Sequence, residues 1–237
     1  MHNSQTVAAL GAFRQQARMD YLIANNLSNV QTAGFKREIP VFQNILSQTS
    51  DRFRNTGNDP VKISFIPGTI QKTGNDLDLA IEGEGFFKVK SPNGVRYTRS
   101  GNFGLNKDKV LINADGFPVL GQRGEITLTG NKITVAENGS IAVDGNEVDQ
   151  IAVVSFPDLN VLIKEGHTLL KTESKETEMA ANQSRVVQGA LEASNVNPVE
   201  EMINLMDSFR TYESCLKIIQ AGDSLDSKAV NEVGRVQ

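Results

Sequence analysis

The 237-residue sequence has no tryptophan, one cysteine, two histidines and no excess of positive charge, and each shortage removes a class of function. With Cys215 alone, no intrachain disulfide can form. Such a chain fits the cytosol, and equally a secreted protein that gains rigidity by assembly instead of cross-linking. His2 and His167 have no cysteine or second histidine at metal-ligand spacing, so neither metal nor cofactor is expected. No Gly-x-Ser-x-Gly elbow presents a nucleophilic serine. Lys and Arg total 24 against 28 Asp and Glu. Nucleic acid requires clustered cations, and the largest cluster here is Lys36-Arg37, so no nucleic-acid partner is expected. No window approaches the roughly 20 uninterrupted apolar residues of a membrane span, so no membrane insertion is expected either. The start, Met1 to Thr6, lacks a basic segment and a long apolar one. No cleaved signal peptide is expected, and export would need a route that does not read one.

What is present changes character twice along the chain. From about Gln5 to Val30, Gly and Pro are almost absent, and Leu10, Phe13, Ala17, Ala24 and Leu27 recur at helical spacing. Ser4 can cap this helix and Gly34 can stop it. At the other end, Asn197-Pro198-Val199-Glu200 reads as an N-cap, a proline at the first helical position and an acid three residues on. Met202, Leu205, Phe209, Tyr212, Leu216 and Ile219 then follow in steps of three and four. That repeat is a coiled-coil seam, preferred here to a helix on an ordinary core, whose stripe is usually wider. Neither stripe can be buried alone, so the two ends need each other, another chain, or both.

Between the ends, short β-rich runs alternate with turn signals: Val61 to Ile66, Leu77 to Ile81, Phe86 to Val89, Val95 to Thr98, Val110 to Ile112, Lys132 to Val135 and Ile151 to Phe156. Pro92-Asn93-Gly94, Asp115-Gly116, Asn138-Gly139 and Asp144-Gly145 separate them, and such pairs favour tight hairpins. The fold class expected is α+β: N- and C-terminal helices forming a coiled-coil-like pair, with an inserted antiparallel β-rich domain. The divisions expected are residues 1–38, helix and turn; 39–72, extended linker; 73–172, β-rich domain; 173–185, solvated return; and 186–237, C-terminal helical region.

Several motifs invite chemistry, and each has a plainer reading. Gly83-Glu84-Gly85 lacks the third glycine and the following helix of a dinucleotide loop, and reads as a strand-entry turn. Asn106-Lys107-Asp108 and Asn113 to Gly116 lack calcium-loop spacing and read as turns. Asp76 with Asp78, and Glu82 with Glu84, lie at two-residue spacing on one strand face, where solvated acids are far commoner than catalytic pairs. Cys215 lies beside Leu216 of the seam and reads as a packed thiol. Phe86 and Phe87 point to opposite strand faces; one should enter the core, leaving the other for a contact with a neighbouring chain. No catalytic constellation and no small-molecule substrate are expected.

Five stretches, in order along most of the chain, carry a family resemblance. Ala24-Asn25-Asn26-Leu27-Ser28-Asn29-Val30-Gln31-Thr32-Ala33-Gly34-Phe35-Lys36-Arg37 resembles the N-terminal signature of bacterial flagellar rod and hook proteins. Thr73 to Phe87, Tyr97-Thr98-Arg99-Ser100-Gly101-Asn102-Phe103 and Ala114 to Gly121 resemble the central region of that family. Leu191-Glu192-Ala193-Ser194-Asn195-Val196-Asn197-Pro198-Val199 resembles its C-terminal signature. Hook proteins are usually much longer, which favours a basal-body rod subunit. The stretch from Tyr212 to Arg235 resembles the proximal-rod F-type and Gln16 to Asp20 the distal-rod G-type; the proximal reading is favoured.

The resemblance implies a motility protein exported by the flagellar type III apparatus without a cleaved signal. It would self-assemble with copies of itself and other rod subunits into a periplasm-spanning shaft that transmits torque. Leu10, Phe13, Ala17, Ala24, Leu27, Met202, Leu205, Phe209, Tyr212, Leu216 and Ile219 would form the assembly seam. Asn25, Asn26, Asn29, Thr32, Gly34, Phe35, Ser194, Asn195, Val196 and Asn197 would be structural signature residues. The rival from another class is a secreted cell-wall hydrolase, which would need a carboxylate pair facing a cleft.

Overall fold

The computed structural model describes residues 16–40, 61–172, 178–181 and 184–233, with backbone only at 219, 223 and 225–233. It divides into two units, one drawn from both chain ends (up to Ser28 and from Asn197) and one comprising Asn29–Val196.

The central unit is built from strands β1 (Glu38–Pro40), β2 (Val61–Ile63), β3 (Ile70–Lys72), β4 (Leu79–Glu82), β5 (Phe86–Ser91), β6 (Gly94–Thr98), β7 (Phe103–Leu105), β8 (Leu111–Asn113), β9 (Ile133–Val135), β10 (Ser140–Val143), β11 (Asn146–Gln150), β12 (Val153–Ser155), β13 (Leu162–Glu165), β14 (Leu169–Thr172), β15 (Met179–Ala180), β16 (Arg185–Gln188) and β17 (Ala190–Glu192). Every named pairing is antiparallel. The largest sheet runs β13-β14-β6-β5-β12-β15. Local chemistry sets the hairpins. Asp144 and Gly145 both take positive φ, 50° and 88°, and join β10 to β11 by the two-residue turn whose twist suits antiparallel strands.

Alternation along β5 gives this sheet two buried faces. Phe87 enters the larger core with Leu79, Val89, Phe103, Leu111, Ile126 and Ile141. Phe86 enters a smaller core with Ile63, Tyr97, Phe156, Leu162 and Leu170. Neither ring is left for a neighbouring chain, because β2 and the turn after β12 cover the second face. Edge-on ring contacts fix that packing, with Phe86 5.8 Å from Phe65 and Tyr97 4.9 Å from Phe156.

The last strands return along the first. β16 pairs with β4 from Arg185↔Glu82 to Gln188↔Leu79, and β17 pairs with β3 from Ala190↔Lys72 to Glu192↔Ile70. Between them the Gly189 carbonyl accepts from Thr73 N at 2.8 Å and Gly74 N at 3.1 Å. One extended segment, 185–192, therefore closes the unit.

The other unit contains α1, helical over described residues 16–28, and α2 (Pro198–Val233). Asn197 caps α2, its Oδ1 accepting from Val199 N at 3.1 Å. α1 ends six residues before Gly34, in a turn where Thr32 N donates to Asn29 O at 3.1 Å. α2 continues through Gly222 to Val233.

The expected fold class is corrected. Strand outweighs helix among the described residues, which hold two α-helices, and no coiled-coil-like pair of terminal helices is present among them. The seam positions do not interlock: Ala17, Ala24, Met202, Phe209 and Tyr212 are exposed, and Leu27, Leu205 and Leu216 are half-buried. Leu10 and Phe13 lie outside the described residues, as does the side chain of Ile219. Within the unit, hydrogen bonds join the two helices. Gln16 Nε2 donates to Ser208 O at 3.0 Å, Ser208 Oγ to Asp20, and Asn26 Nδ2 to Glu201 Oε1 at 3.3 Å. Apolar periodicity shows that a helix has an apolar face; it does not say what covers it.

Close backbone packing makes one glycine costly to replace. A Cβ at Gly101 would lie 1.6 Å from the Leu79 carbonyl oxygen, whereas one at Gly104 meets nothing within 4 Å. Gly101→Ala is expected to destabilise the β unit by about 2–3 kcal/mol, and Gly104→Ala to change it by less than about 0.5 kcal/mol. Urea denaturation of the two variants checks this; equal midpoints would contradict the packing.

Candidate functional site

Glu192 ends β17, and its side chain is 1% exposed. A buried carboxylate is costly unless every lone pair is used. Here Oε1 accepts from Lys36 Nζ at 2.6 Å and from Gly68 N at 2.9 Å, and Oε2 accepts from Arg99 NH1 at 3.2 Å. Both cations are buried too. Lys36 Nζ also donates to the Ile66 carbonyl at 3.1 Å. Arg99 donates to the carbonyls of Ile81 at 3.1 Å and Gly83 at 2.7 Å, and lies over the Phe86 ring at 5.4 Å. Its buried Nε has no hydrogen-bond partner among the described residues.

Asn195, three residues on, completes the clamp. Its Oδ1 accepts from Arg37 N at 2.7 Å, and its Nδ2 donates to the carbonyls of Ser64 and Ile66, each at 2.9 Å. Main-chain bonds run alongside, from Gly34 N to Glu192 O at 2.7 Å and from Asn195 N to Phe35 O at 3.4 Å. Phe35 is fully buried, with Lys164 Nζ 3.6 Å from its ring centroid. Gly34 takes φ +68°, and a Cβ there would lie 2.2 Å from Ser100 N, so the turn fits only a residue without a side chain.

Two cations and one carboxylate leave the clamp with one positive charge in excess. Burial pushes the Lys36 ammonium below the ordinary lysine value, and Glu192 restores only part of the loss. Burial likewise disfavours the charged Arg99, against support from Glu192 and then Glu84. A second group lies on the large sheet, where Glu178 accepts from Lys88 at 2.6 Å and from the Tyr97 hydroxyl. Burial and then Glu178 push the Tyr97 hydroxyl well above its ordinary range. Burial raises the Glu178 carboxyl, but the hydrogen bonds from Lys88 and Tyr97 outweigh it and leave a net lowering.

The structure brings Gly34, Phe35 and Asn195 of the expected signature residues to the clamp. Asn29 and Thr32 form the turn before it, joined by Thr32 Oγ1 donating to Asn29 Oδ1 at 3.1 Å. Ser194 Oγ accepts from Val196 N at 3.3 Å, and Val196 is buried. Asn25, Asn26 and Asn197 belong to the terminal unit, where Asn25 O accepts from Ser28 Oγ at 3.0 Å. Sequence reasoning missed the clamp's own charges, Lys36, Arg99 and Glu192, although each sits inside a quoted signature stretch. A partial signal was there for two of them: Arg99 lies between Thr98 and Ser100, and Glu192 between Leu191 and Ala193, whereas Lys36 stands beside Arg37. Asp78, one of the acids considered for catalysis, is buried and accepts from Thr73 Oγ1 at 2.7 Å and Asn75 Nδ2 at 3.2 Å, which makes it a turn anchor.

A strand unit closed by the triad of Lys36, Arg99 and Glu192, in a chain whose C-terminal helix carries exposed apolar side chains, fits a structural subunit of an assembly. Comparison with known proteins agrees. Residues 187–232 match the family described as flagellar basal body rod FlgEFG protein C-terminal, and residues 80–143 match the flagellar hook protein FlgE/F/G D1 domain. The flagellar basal-body rod protein FlgF of Caulobacter vibrioides is 34% identical over 226 residues, 91% of each chain. The FlgG of Bacillus subtilis is 31% identical over 247 residues, 91% of this chain and 93% of that one. The FlgF of Mesorhizobium japonicum is 27% identical over 241 residues, 99% of each. The chain belongs to the flagellar basal-body rod protein family, and as such is a structural protein and not an enzyme.

Two measurements test the clamp. Glu192→Gln leaves two buried cations without their counter-charge and is expected to cost about 3–5 kcal/mol in chemical denaturation, whereas Lys36→Met removes the excess charge and should cost clearly less. Equal losses would contradict the charge count.

The second measurement is the pH dependence of stability. Because the folded Lys36 binds its proton less tightly than the unfolded one, the unfolded state holds more protons between the folded value and 10.5. The contribution of Lys36 to stability therefore rises with pH through that window. Tyr97 acts in the opposite sense above its ordinary value of 10.0. The Lys36 part is thus read as wild type minus Lys36→Met, and a flat difference would count against it.

Proposed function

We propose that this chain is a proximal-rod subunit that assembles helically with copies of itself and with other rod subunits to carry motor torque across the periplasm. It would reach that site through the flagellar type III apparatus without a cleaved signal. The match to FlgF of Caulobacter vibrioides over 91% of each chain is the observation that carries the reading, supported by the F-type character of Tyr212 to Arg235. A distal position is the second reading, supported by the similarity to proteins named FlgG and by Gln16 to Asp20. Electron cryomicroscopy of basal bodies with a tag at the Asn138-Gly139 turn separates the two. No helix among the described residues is long and apolar enough to cross a membrane.

The subunit contacts are assigned to the terminal unit. On α2, Val199, Met202, Met206 and Phe209 follow in steps of three and four and are all exposed, Phe209 at 56%. Covering each such side chain with a neighbouring subunit would stabilise the assembly by roughly 1.5–3 kcal/mol. The β unit would serve as a stiff body hung on that contact. Chain load enters it at Asn29 and leaves at Val196, and the clamp ties together the segments beside those two points.

Phe209→Asp is expected to abolish motility and rod assembly while leaving the β unit folded, as judged by its denaturation midpoint. A mutant that swims normally would sink the proposal.

A further inference from the structure

The clamp does more than hold two ends together. Residues 192–195 supply partners for the main-chain groups of two segments. In the first segment they satisfy Gly34 N, Phe35 O and Arg37 N; in the second they satisfy Ser64 O, Ile66 O, Gly68 N and Thr69 O. The two segments are joined to each other through Ser64 N donating to Arg37 O at 2.8 Å and through β1 with β2. Together they cover the second face of the large sheet, placing Ile63 and Phe65 against Phe86.

We propose that residues 190–195 act as a latch, so that segments 34–40 and 61–72 open and close as one cooperative piece, while the large sheet beneath stays folded. The inference concerns the β unit alone and holds for either rod position. Its physical basis is the cost of leaving buried polar groups unsatisfied. Without the latch, seven main-chain groups and the Lys36 ammonium lose partners at once. The segments cannot stay docked in part, because each hydrogen-bonds the other as well as the latch. The sheet below keeps its own ladder from β13 to β12 and its larger core on the far face. The cluster of Phe86, Tyr97, Phe156, Leu162 and Leu170 is then the apolar surface that the closed latch hides.

Amide hydrogen exchange on the full-length chain tests this with two variants. Among the described residues, the amide bonded directly to the altered side chain is that of Gly68 in Glu192→Gln and that of Arg37 in Asn195→Ala. Gly34, Ser64 and Ala193 bond to main-chain oxygens and are touched directly by neither change. The latch predicts that these three amides exchange about tenfold faster or more in both variants and at similar rates, while amides of β5, β6 and β14 change by less than about twofold. Acceleration confined to Gly68 or Arg37 would overturn the proposal, as would equal acceleration throughout the β unit. Should Glu192→Gln not fold, Asn195→Ala decides by the same amides.

Discussion

The closure of the β unit depends on one carboxylate buried where water cannot reach it. Glu192 is tolerable inside only because Lys36, Arg99 and Gly68 N all arrive at once, and they come from three separate stretches of chain. Each arrival has a backbone precondition. Gly34 must lie against Arg99 and Ser100 for Lys36 to reach inward, Gly101 against Leu79 for Arg99 to do so, and Gly68 against Ala193 to donate its amide. The glycines and the charges of the signature stretches are thus one device, small residues allowing the approach and charged ones rewarding it.

Much of the strand pattern was legible because its causes are local. Alternation and the Asn-Gly and Asp-Gly pairs act within a few residues: β5 and β6 fall on runs read from the sequence, while at β10 and β11 only the flanking turns, Asn138-Gly139 and Asp144-Gly145, were read. The clamp was legible only as words in a signature. Glu192 and Arg99 lie 93 residues apart, and nothing in the spacing of either announces the other. Phe86 failed differently. Period two said correctly that it faces away from Phe87, but a sheet covered on both sides cannot be told from one exposed on one side by a single strand. The covering segment, with Ile63 and Phe65, reads from composition as a linker. It is bound by charges and amides, not by its own periodicity.

The terminal helices show the opposite limit. Local sequence specified them well: Asn197 caps α2 as its chemistry requires, and the helix runs on past Gly222 because one glycine costs only about 1 kcal/mol. Partner choice was not local. Leu22 and Ile23 are the buried apolar residues among those described in α1, with Asn26 buried beside them, while Ala17 and Ala24 are exposed. Contacts from Gln16, Asp20 and Asn26 to α2 leave the apolar stripe of α2 free. Hydrogen-bonded contacts fix position at little net gain, and an uncovered apolar face supplies the driving force for a contact elsewhere. That division suits a subunit whose strongest contacts lie outside its own fold.

An apolar trio in place of Lys36, Arg99 and Glu192 could bury as much surface, so stability alone does not account for the clamp. Register supplies the better reason. Segment 185–192 pairs with 70–82 through short strands interrupted at Gly189, a pairing that backbone hydrogen bonds alone would hold loosely. Val186 and Ala190 face inward along with Glu192, and a slip of one residue would turn all three outward. Exposed Val and Ala would forfeit modest burial, whereas turning Glu192 away would strand two buried cations. The ion triad therefore penalises the slipped pairing far more than it stabilises the correct one. It fixes the register in which segment 185–192 closes the β unit.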